Sequence, residues 1–212
     1  MDISQLRREY VSSGLRRSDL DENPFLQFER WFKEAIDANL QDPNAMCLAT
    51  ADKRGRVSQR IVLLKNLDQF GFIFYTNTES RKAQDIASNP QVSLHFAWLA
   101  FNRQVKIQGK AQKIPSRETL KYFLSRPRDS QIAAWCSSQS STIDSRQILE
   151  SKFFEMKQKF ANGDIPLPSF WSGYKVIPET IEFWQGRENR LHDRFMYRRT
   201  GNDNWEIQRL AP

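Results

Sequence analysis

The chain has 212 residues, and its 39% hydrophobic and 12% aromatic content excludes a mainly disordered protein. Lys and Arg number 32 against 25 Asp and Glu, which gives a net charge of +7. We find no apolar run near the ~18 residues of a membrane span and no secretory signal at the start. Two cysteines and two histidines argue against a disulfide framework and a multi-histidine metal centre. We therefore expect a soluble, cytoplasmic protein that holds no metal.

The first half of the chain predicts one long helix followed by strands. The helix runs from Pro24 to Leu40, with Asn23 as its cap and an apolar stripe of Phe25, Phe28, Phe32, Ala35 and Ile36. Strands are predicted next at Ala45–Thr50, Val57–Leu64, Phe72–Thr76, Gln91–Phe96 and Arg103–Ile114, with a short helix at Ser80–Ser88 between the third and the fourth.

The second half is first helical and then returns to strands. We predict helices at Arg117–Ser125, Asp129–Cys136 and Asp144–Phe160, and strands at Gly173–Ile177, Thr180–Trp184, Arg190–Arg198 and Trp205–Leu210. Antiparallel strands with helices inserted between them indicate an α+β protein with a barrel-like sheet. No G-x-G-x-x-G motif supports a parallel dinucleotide-binding sheet. We expect a mobile segment over residues 1–20 and a single domain over 21–212.

The positive charge is divided among small clusters, which suit small anions better than a polymeric partner. One cluster is the stretch from Arg60 to Lys65, where four consecutive apolar residues separate two cations. Such a run predicts a strand buried on both faces, in a barrel wall or at a subunit interface. Alternation along the strand would place Arg60 and Lys65 on opposite faces, so that they could hold two anions. Two basic residues that merely extend from a buried strand into solvent are the simpler interpretation of this cluster alone.

Two further clusters have the chemistry of anion sites. Arg81 and Lys82 lie in the first turn of a predicted helix, where cations oppose the helix dipole unless an anion sits there. Tyr122, Arg126 and Ser130 recur at four-residue steps and offer a phenol, a guanidinium and a hydroxyl to a phosphate. Solvated surface residues and a capping serine remain alternatives for these clusters.

The most specific stretch is Ile181–Arg194. If residues 190–194 form a strand, Arg190, His192 and Arg194 share one face. Two guanidiniums beside one imidazole repel each other unless something negative or electron-rich lies against them. The pattern therefore favours a binding site over an isolated structural histidine.

This stretch resembles the signature of the pyridoxamine 5′-phosphate oxidase family. The resemblance continues over nearly the whole chain, through residues 6–10, 60–65, 74–77, 80–83, 125–130, 139–141 and 209–212. It implies a homodimeric FMN enzyme with the split β-barrel fold and FMN at the subunit interface. Such an enzyme would oxidise pyridoxamine 5′-phosphate and pyridoxine 5′-phosphate to pyridoxal 5′-phosphate, reducing O2 to hydrogen peroxide and releasing ammonia from the amine.

The resemblance also assigns roles to residues. The residues it implies for FMN are Arg60, Ile61, Val62, Leu63, Leu64, Lys65, Tyr75, Thr76, Arg81, Lys82, Gln104, Gln139, Ser140, Trp184 and Arg194, some of them from the second subunit. Those it implies for the substrate are Lys65, Tyr122, Arg126, Ser130, Arg190, Leu191 and His192, with Arg7 and Tyr10 closing over it. Arg190 and His192, the implied catalytic residues, would face the pyridine ring of the substrate. Our mechanistic hypothesis is that a hydride passes from the substrate to the flavin, with Arg194 as a cation beside the reduced flavin ring. Arg190 and His192 would mainly orient and polarise the substrate, with His192 as a candidate proton acceptor.

Three other functions remain open on the sequence alone. A related split-barrel flavoprotein could reduce flavin or act on another substrate, although the Tyr122–Ser130 cluster and the pair Arg190 and His192 argue against it. A carrier of FMN or of a vitamin B6 phosphate would bind both without producing peroxide. A basic nucleic-acid-binding module would be colourless and would bind DNA in a salt-dependent way; we expect neither a nucleic-acid partner nor a membrane partner.

Overall fold

The computed structural model describes residues 14–136, 139–201 and 204–212, together with positions 1, 3 and 5. Arg7 and Tyr10, the two residues expected to close over the substrate, lie outside these ranges. The expected division into a segment over 1–20 and a domain over 21–212 stays a prediction. Within the described part, Leu15 and Leu20 are buried in the main core.

The predicted elements are largely confirmed. The helices are α1 (Pro24–Asp37), α2 (Arg81–Ser88), α3 (Ser116–Ser125), α4 (Arg128–Cys136) and α5 (Arg146–Lys159). The strands are β1 (Ala45–Ala51), β2 (Val57–Leu63), β3 (Asn66–Asp68), β4 (Gly71–Asn77), β5 (Gln91–Trp98), β6 (Arg103–Lys113), β7 (Trp171–Gln185), β8 (Asp193–Arg199) and β9 (Trp205–Leu210). The short strand β3 is not among the predicted strands.

The described strands form one nine-stranded antiparallel sheet. Its main path runs β2-β1-β5-β6-β7-β4-β3, and β8 and β9 continue from β7. Helix α1 precedes the first strand, and helices α2 to α5 are inserted between strands of this curled sheet. The α+β class and the split-barrel architecture are therefore confirmed.

Helix α1 covers the buried face of the sheet. The Asn23 side chain caps it by accepting a hydrogen bond from the Phe25 backbone N–H. The Phe28 ring lies 5.0 Å from those of Phe72 and Phe96, centroid to centroid. The predicted stripe is wrong at one position, because Ile36 is 49% exposed and Trp31 is buried instead. Trp31 follows Phe28 by three residues and so falls on the packed face of the helix.

The prediction of two separate strands, Gly173–Ile177 and Thr180–Trp184, is wrong, because both lie within the single strand β7. The residues form one strand, with a bulge at Glu179, next to Pro178, where the β6 partner changes between Gln108 and Gly109. β4 pairs with the first part of β7, up to Val176, and β8 pairs from Thr180 onward. Proline has no backbone N–H to donate to a neighbouring strand. A proline is tolerated beside the bulge because strand pairing is interrupted there.

Strand β2 is not buried on both faces within one chain. Val57, Ile61 and Leu63 share one face and are 65%, 66% and 40% exposed. β2 stands at one end of the sheet path and pairs with β1. Burial within a barrel wall is therefore wrong for this face, and burial at a subunit interface stays a prediction.

The predicted strand Arg190–Arg198 begins later, at Asp193. Arg190 ends a short 3-10 turn, Glu188–Arg190, and has a backbone φ of 59°. Alternation along a strand therefore does not extend back to Arg190 or His192. The expectation that Arg190, His192 and Arg194 share a strand face is wrong.

A second, smaller core lies beneath the inserted helices. Phe123, Ile132, Phe160 and Trp171 form its buried centre. In the described ranges, no helix is both long and apolar enough to cross a bilayer, and no group of three or more His, Cys, Asp or Glu side chains is placed to hold a metal ion.

Candidate functional site

A cleft of about 730 Å³ opens where β2, the end of β4, α2, α3 and α4 meet. It contains thirteen of the residues that the sequence assigned to cofactor or substrate. These are Arg60, Ile61, Val62, Leu63, Lys65, Tyr75, Thr76, Arg81, Lys82, Tyr122, Arg126, Gln139 and Ser140. Most of the cations in the cleft belong to two groups of side chains. We name these groups the β2–α2 cluster (Arg60, Thr76, Arg81, Lys82, Gln139) and the aromatic cluster (Tyr75, Tyr122, Arg126, Trp171).

Lys82 is the buried centre of the β2–α2 cluster. Its side chain is brought into the cleft wall by the first turn of α2, and the residue is only 6% exposed. Its Nζ donates to Gln139 Oε1 at 2.9 Å and to Thr76 Oγ1 at 3.2 Å. Burial and, second, the charge of Arg60 lower the pKa of Lys82 to about 8. A bound anion would oppose both effects, because it stabilises the protonated amine.

Arg60 adds a second cation to the β2–α2 cluster, and hydrogen bonds from its guanidinium hold it in place. Its Nη1 donates to the Leu48 carbonyl oxygen at 3.2 Å and to Thr50 Oγ1 at 2.8 Å, and its Nη2 donates to Ser58 Oγ at 2.6 Å. Burial lowers the pKa of Arg60, and the nearby Arg81 lowers it further. Arg81 itself is exposed, with its backbone N–H 3.4 Å from Ser140 Oγ.

The aromatic cluster is a stack of rings with a guanidinium over it. The rings of Tyr75 and Tyr122 stack at 3.9 Å, and Trp171 stacks on Tyr75 at 5.2 Å. Tyr75 pairs with Gly173 across β4 and β7, and a side chain at Gly173 would lie 2.8 Å from the Tyr75 ring. The glycine therefore leaves room for the stack.

Arg126 completes the aromatic cluster with a guanidinium that is incompletely paired. Its Cζ lies 4.8 Å from the Trp171 ring centroid, and its buried Nη1 has no hydrogen-bond partner among the described residues. Burial lowers the pKa of Arg126. A buried donor without a partner is costly, so an anion accepting from Nη1 would be bound favourably.

Leu64 and Ser130 belong to the same part of the sequence as the cleft residues but do not line the cleft. Leu64 packs its side chain into the main core. Ser130 lies in the first turn of α4, where its backbone N–H donates to the Pro127 carbonyl oxygen. Lys65 does line the cleft together with Arg60, because β2 ends at Leu63 and strand alternation no longer separates the two side chains.

The other assigned residues form a separate group on β6, β7 and β8. Gln104 pairs with Trp184, and Trp184 pairs with Arg194, so the three side chains form a row on one face of the sheet. Gln104 Oε1 lies 2.9 Å from His95 Nε2. Arg194 Nε donates to Glu182 Oε1 at 2.8 Å. None of the three lines the cleft of its own chain.

The turn before β8 carries the implied catalytic pair. Arg190 and Leu191 are exposed, Leu191 by 68%. His192 lies 4.7 Å from the Trp184 ring, centroid to centroid, and its Nδ1 accepts a hydrogen bond from the Arg187 backbone N–H at 3.1 Å. The turn thus belongs with the Gln104–Trp184–Arg194 row and not with the cleft.

Comparison with known proteins gives two family matches. Residues 32–160 match the model described as pyridoxamine 5′-phosphate oxidase, and residues 171–212 match the pyridoxine 5′-phosphate oxidase C-terminal dimerisation region. The chain belongs to the pyridoxamine 5′-phosphate oxidase family. Membership confirms the enzyme class and the FMN cofactor predicted from the sequence.

Individual relatives agree with the family assignment. The chain is 60% identical over all 212 residues to a pyridoxine/pyridoxamine 5′-phosphate oxidase of Vibrio cholerae, covering 100% of both chains. It is 62% identical to one of Edwardsiella ictaluri, covering 100% of this chain and 97% of that one. Among solved structures, PhzG from Burkholderia lata superposes with a TM-score of 0.88 at 29% identity, covering 94% of this chain and 98% of PhzG.

The second family match concerns the residues that lie outside the cleft. Trp184, Arg190, His192 and Arg194 all fall within the dimerisation region, which suggests a homodimer. Sequence reasoning missed Trp171 and Asp85, one stacked in the aromatic cluster and the other buried behind Arg60. Trp171 stands far from the other functional residues in the sequence. Asp85 follows Lys82 by three residues on α2, but no local pattern shows that its side chain meets Thr50 and Ser58.

Proposed function

We propose that this protein is an FMN-dependent oxidase that converts pyridoxine 5′-phosphate and pyridoxamine 5′-phosphate to pyridoxal 5′-phosphate. O2 accepts the electrons and leaves as hydrogen peroxide, and the amine substrate also takes up water and releases ammonia. The observation that carries this proposal is one cleft with two separate cation groups. Two phosphorylated ring compounds, the cofactor and the substrate, require such an arrangement.

The β2–α2 cluster fits the phosphate of FMN. Arg60, Arg81 and Lys82 supply positive charge, and the first turn of α2 supplies backbone N–H groups. Each phosphate carries roughly −1.5 to −2 charge, which offsets the repulsion between these cations. When bound, FMN supplies the two-electron redox chemistry that no side chain provides.

The aromatic cluster fits the phosphate of the substrate. Arg126 offers its unpaired Nη1, Tyr122 offers its hydroxyl, and Lys65 adds a further cation to the same cleft. Trp171 and Tyr75 form a flat apolar wall beside these groups. A pyridine ring with a phosphate arm matches that combination of stacked rings and cations.

The remaining site residues would be supplied by a second subunit. The exposed apolar face of β2, with Ile61 and Leu63, continues across the sheet to the Gln104–Trp184–Arg194 row, because Ile61, Cys47, His95 and Lys106 lie on the same face. A homodimer that buries this face would bring Gln104, Trp184, Arg190, Leu191, His192 and Arg194 of one subunit to the cleft of the other. FMN would then lie at the interface.

His192 has a role set by its hydrogen bond. Because its Nδ1 accepts from the Arg187 backbone N–H, the neutral ring carries its hydrogen on Nε2. We therefore assign His192 as a donor that orients the substrate. This keeps the main role hypothesised from the sequence and sets aside the role of proton acceptor. Arg190, exposed on the same turn, supplies positive charge to the substrate ring.

The test is aerobic turnover by the purified protein. We expect bound flavin in its visible absorption spectrum and, on addition of pyridoxine 5′-phosphate, equal amounts of pyridoxal 5′-phosphate and peroxide. Unphosphorylated pyridoxine is the matched control and should react far more slowly. Flavin binding without product from either phosphorylated substrate would show the carrier function instead, and Arg190→Leu or His192→Ala with unchanged kcat/KM would remove those residues from the mechanism.

A further inference from the structure

A buried carboxylate lies directly behind the β2–α2 cluster. Asp85, on α2, is 5% exposed and belongs to neither set of assigned site residues. Its Oδ2 accepts hydrogen bonds from Thr50 Oγ1 at 2.7 Å and from Ser58 Oγ at 3.2 Å. Asp85 thus connects α2 to the side chains of β1 and β2 beneath the cleft.

The same two hydroxyls also hold Arg60. Thr50 Oγ1 accepts from its Nη1 and Ser58 Oγ accepts from its Nη2. A hydroxyl has one hydrogen to donate, and an ionised carboxylate only accepts. Asp85 therefore fixes the direction of both bonds: each hydroxyl donates to the carboxylate and turns its lone pairs toward the guanidinium.

This arrangement leaves part of Arg60 available to a ligand. The bonds to Leu48, Thr50 and Ser58 use three of the five guanidinium N–H groups. Within the described part of the chain, no acceptor is assigned to Nε or to the second Nη2 hydrogen. The guanidinium is thereby fixed from behind, and its planar fork matches a phosphate.

Packing alone does not account for a carboxylate at this position. Taking a carboxylate out of water is costly, and an apolar side chain of similar size often serves equally well where only packing is needed. The negative charge of Asp85 also raises the pKa of Arg60 and so opposes the effect of Arg81.

We propose that Asp85 is a positioning residue for FMN binding, acting through Thr50 and Ser58 to hold the Arg60 guanidinium against the cofactor phosphate. The inference rests on the proposed function, which assigns that phosphate to Arg60, Arg81 and Lys82. Asp85 touches neither cofactor nor substrate. Its effect is confined to the phosphate part of the cofactor.

The experiment compares FMN with riboflavin, which has the same ring system and no phosphate. Both are titrated into cofactor-free protein, and Kd is read from flavin fluorescence. Asp85→Asn keeps the size but loses the charge and replaces an acceptor with a donor. We expect it to raise the Kd of FMN roughly tenfold or more and the Kd of riboflavin less than about twofold. Asp68→Asn, which removes a carboxylate paired with Lys175 outside the cleft lining, is the control and should change neither.

A double-mutant cycle tests whether Asp85 acts through Arg60. Arg60→Gln should weaken FMN selectively, and adding Asp85→Asn to it should produce little further loss. If Arg60→Gln leaves the preference for FMN over riboflavin unchanged, the phosphate assignment in the proposed function is wrong. If Arg60→Gln weakens FMN selectively but Asp85→Asn does not, only the role of Asp85 is overturned.

A general loss of structure is distinguished by the same titrations. Equal increases in the Kd of FMN and of riboflavin in Asp85→Asn would show a structural role and overturn the proposal. If that variant does not fold, the double variant Thr50→Val, Ser58→Ala decides instead. It should lose FMN affinity selectively, and unchanged FMN affinity would contradict the proposal.

Discussion

The cleft and the C-terminal strands treat their cations differently. In the cleft, Lys82 and Arg60 are held by neutral hydroxyl, amide and carbonyl oxygens, so their positive charge is not cancelled by direct ion pairs. On β6–β8, Arg194 is paired with Glu182, which also binds Lys106 Nζ at 2.6 Å. The first arrangement leaves positive charge that a bound anion would offset, whereas in the second the carboxylate of Glu182 already offsets the charge of Arg194. In our proposal, the cleft of one subunit binds the phosphates, and the β6–β8 residues of the other subunit cover that cleft across the dimer interface.

The largest expected effect comes from the aromatic cluster. We predict that Arg126→Leu lowers kcat/KM for pyridoxine 5′-phosphate about 10²-fold, because it removes a buried charged donor from the substrate phosphate. Steady-state kinetics measure this effect. Arg117→Leu replaces an exposed arginine on α3, the helix that ends just before Arg126, and is the control that should leave kcat/KM near the wild-type value. Loss of activity equal in both variants would contradict a specific phosphate contact.

A smaller effect is expected from mixing two weakly active variants. It tests whether the cleft of one subunit and the Gln104–Trp184–Arg194 row of the other form one site. We expect Arg126→Leu and Arg194→Leu to be weakly active as separate homodimers. Co-expressed, they should recover about a quarter of wild-type activity, because half of the dimers are mixed and each mixed dimer has one intact site. The comparison is made at equal total protein. No recovery in confirmed mixed dimers would show that each site is built within one chain.

The smallest expected effect concerns the pH dependence of FMN binding. The pKa of Lys82 in the cofactor-free protein is about 8, so the amine is neutral above that pH and must take up a proton when the anion binds. The Kd of FMN should therefore rise above pH 8, by up to about tenfold per pH unit, and stay flat between about pH 7 and 8, above the range in which the phosphate takes up its second proton. Titrations at several pH values should show this slope for FMN and not for riboflavin. Lys82→Met should remove it, and a slope that persists in that variant would assign the proton to another group.

The sequence predicted those parts of the fold that depend on local patterns. The cap and proline at the start of α1, the helix at α5 and most strand positions follow from periodicity and from residues with fixed conformational preferences. It failed at Pro178, which looks like a strand end in the sequence. Pairing with β6 keeps the strand continuous there, because a bulge accommodates the proline.

The sequence predicted most residues of the candidate site but not how these residues are arranged in space. The resemblance named the residues that line the cleft, but the one-face pattern at Arg190, His192 and Arg194 was wrong because Arg190 takes a positive φ in a turn. Asp85 and Trp171 were missed for a different reason. Their partners, Ser58 and Tyr75, lie 27 and 96 residues away in the chain, so only the folded sheet brings them together.

By itself, the sequence determined the α+β class, the family and the types of side chain available for binding anions, because these follow from composition, periodicity and local motifs. Only the tertiary structure decided which cations share a cleft, which are already neutralised by a carboxylate, and which lie on another face of the sheet. The physical reason is that charge interactions and hydrogen bonds depend on distances in space, and strand pairing sets those distances between residues far apart in the chain.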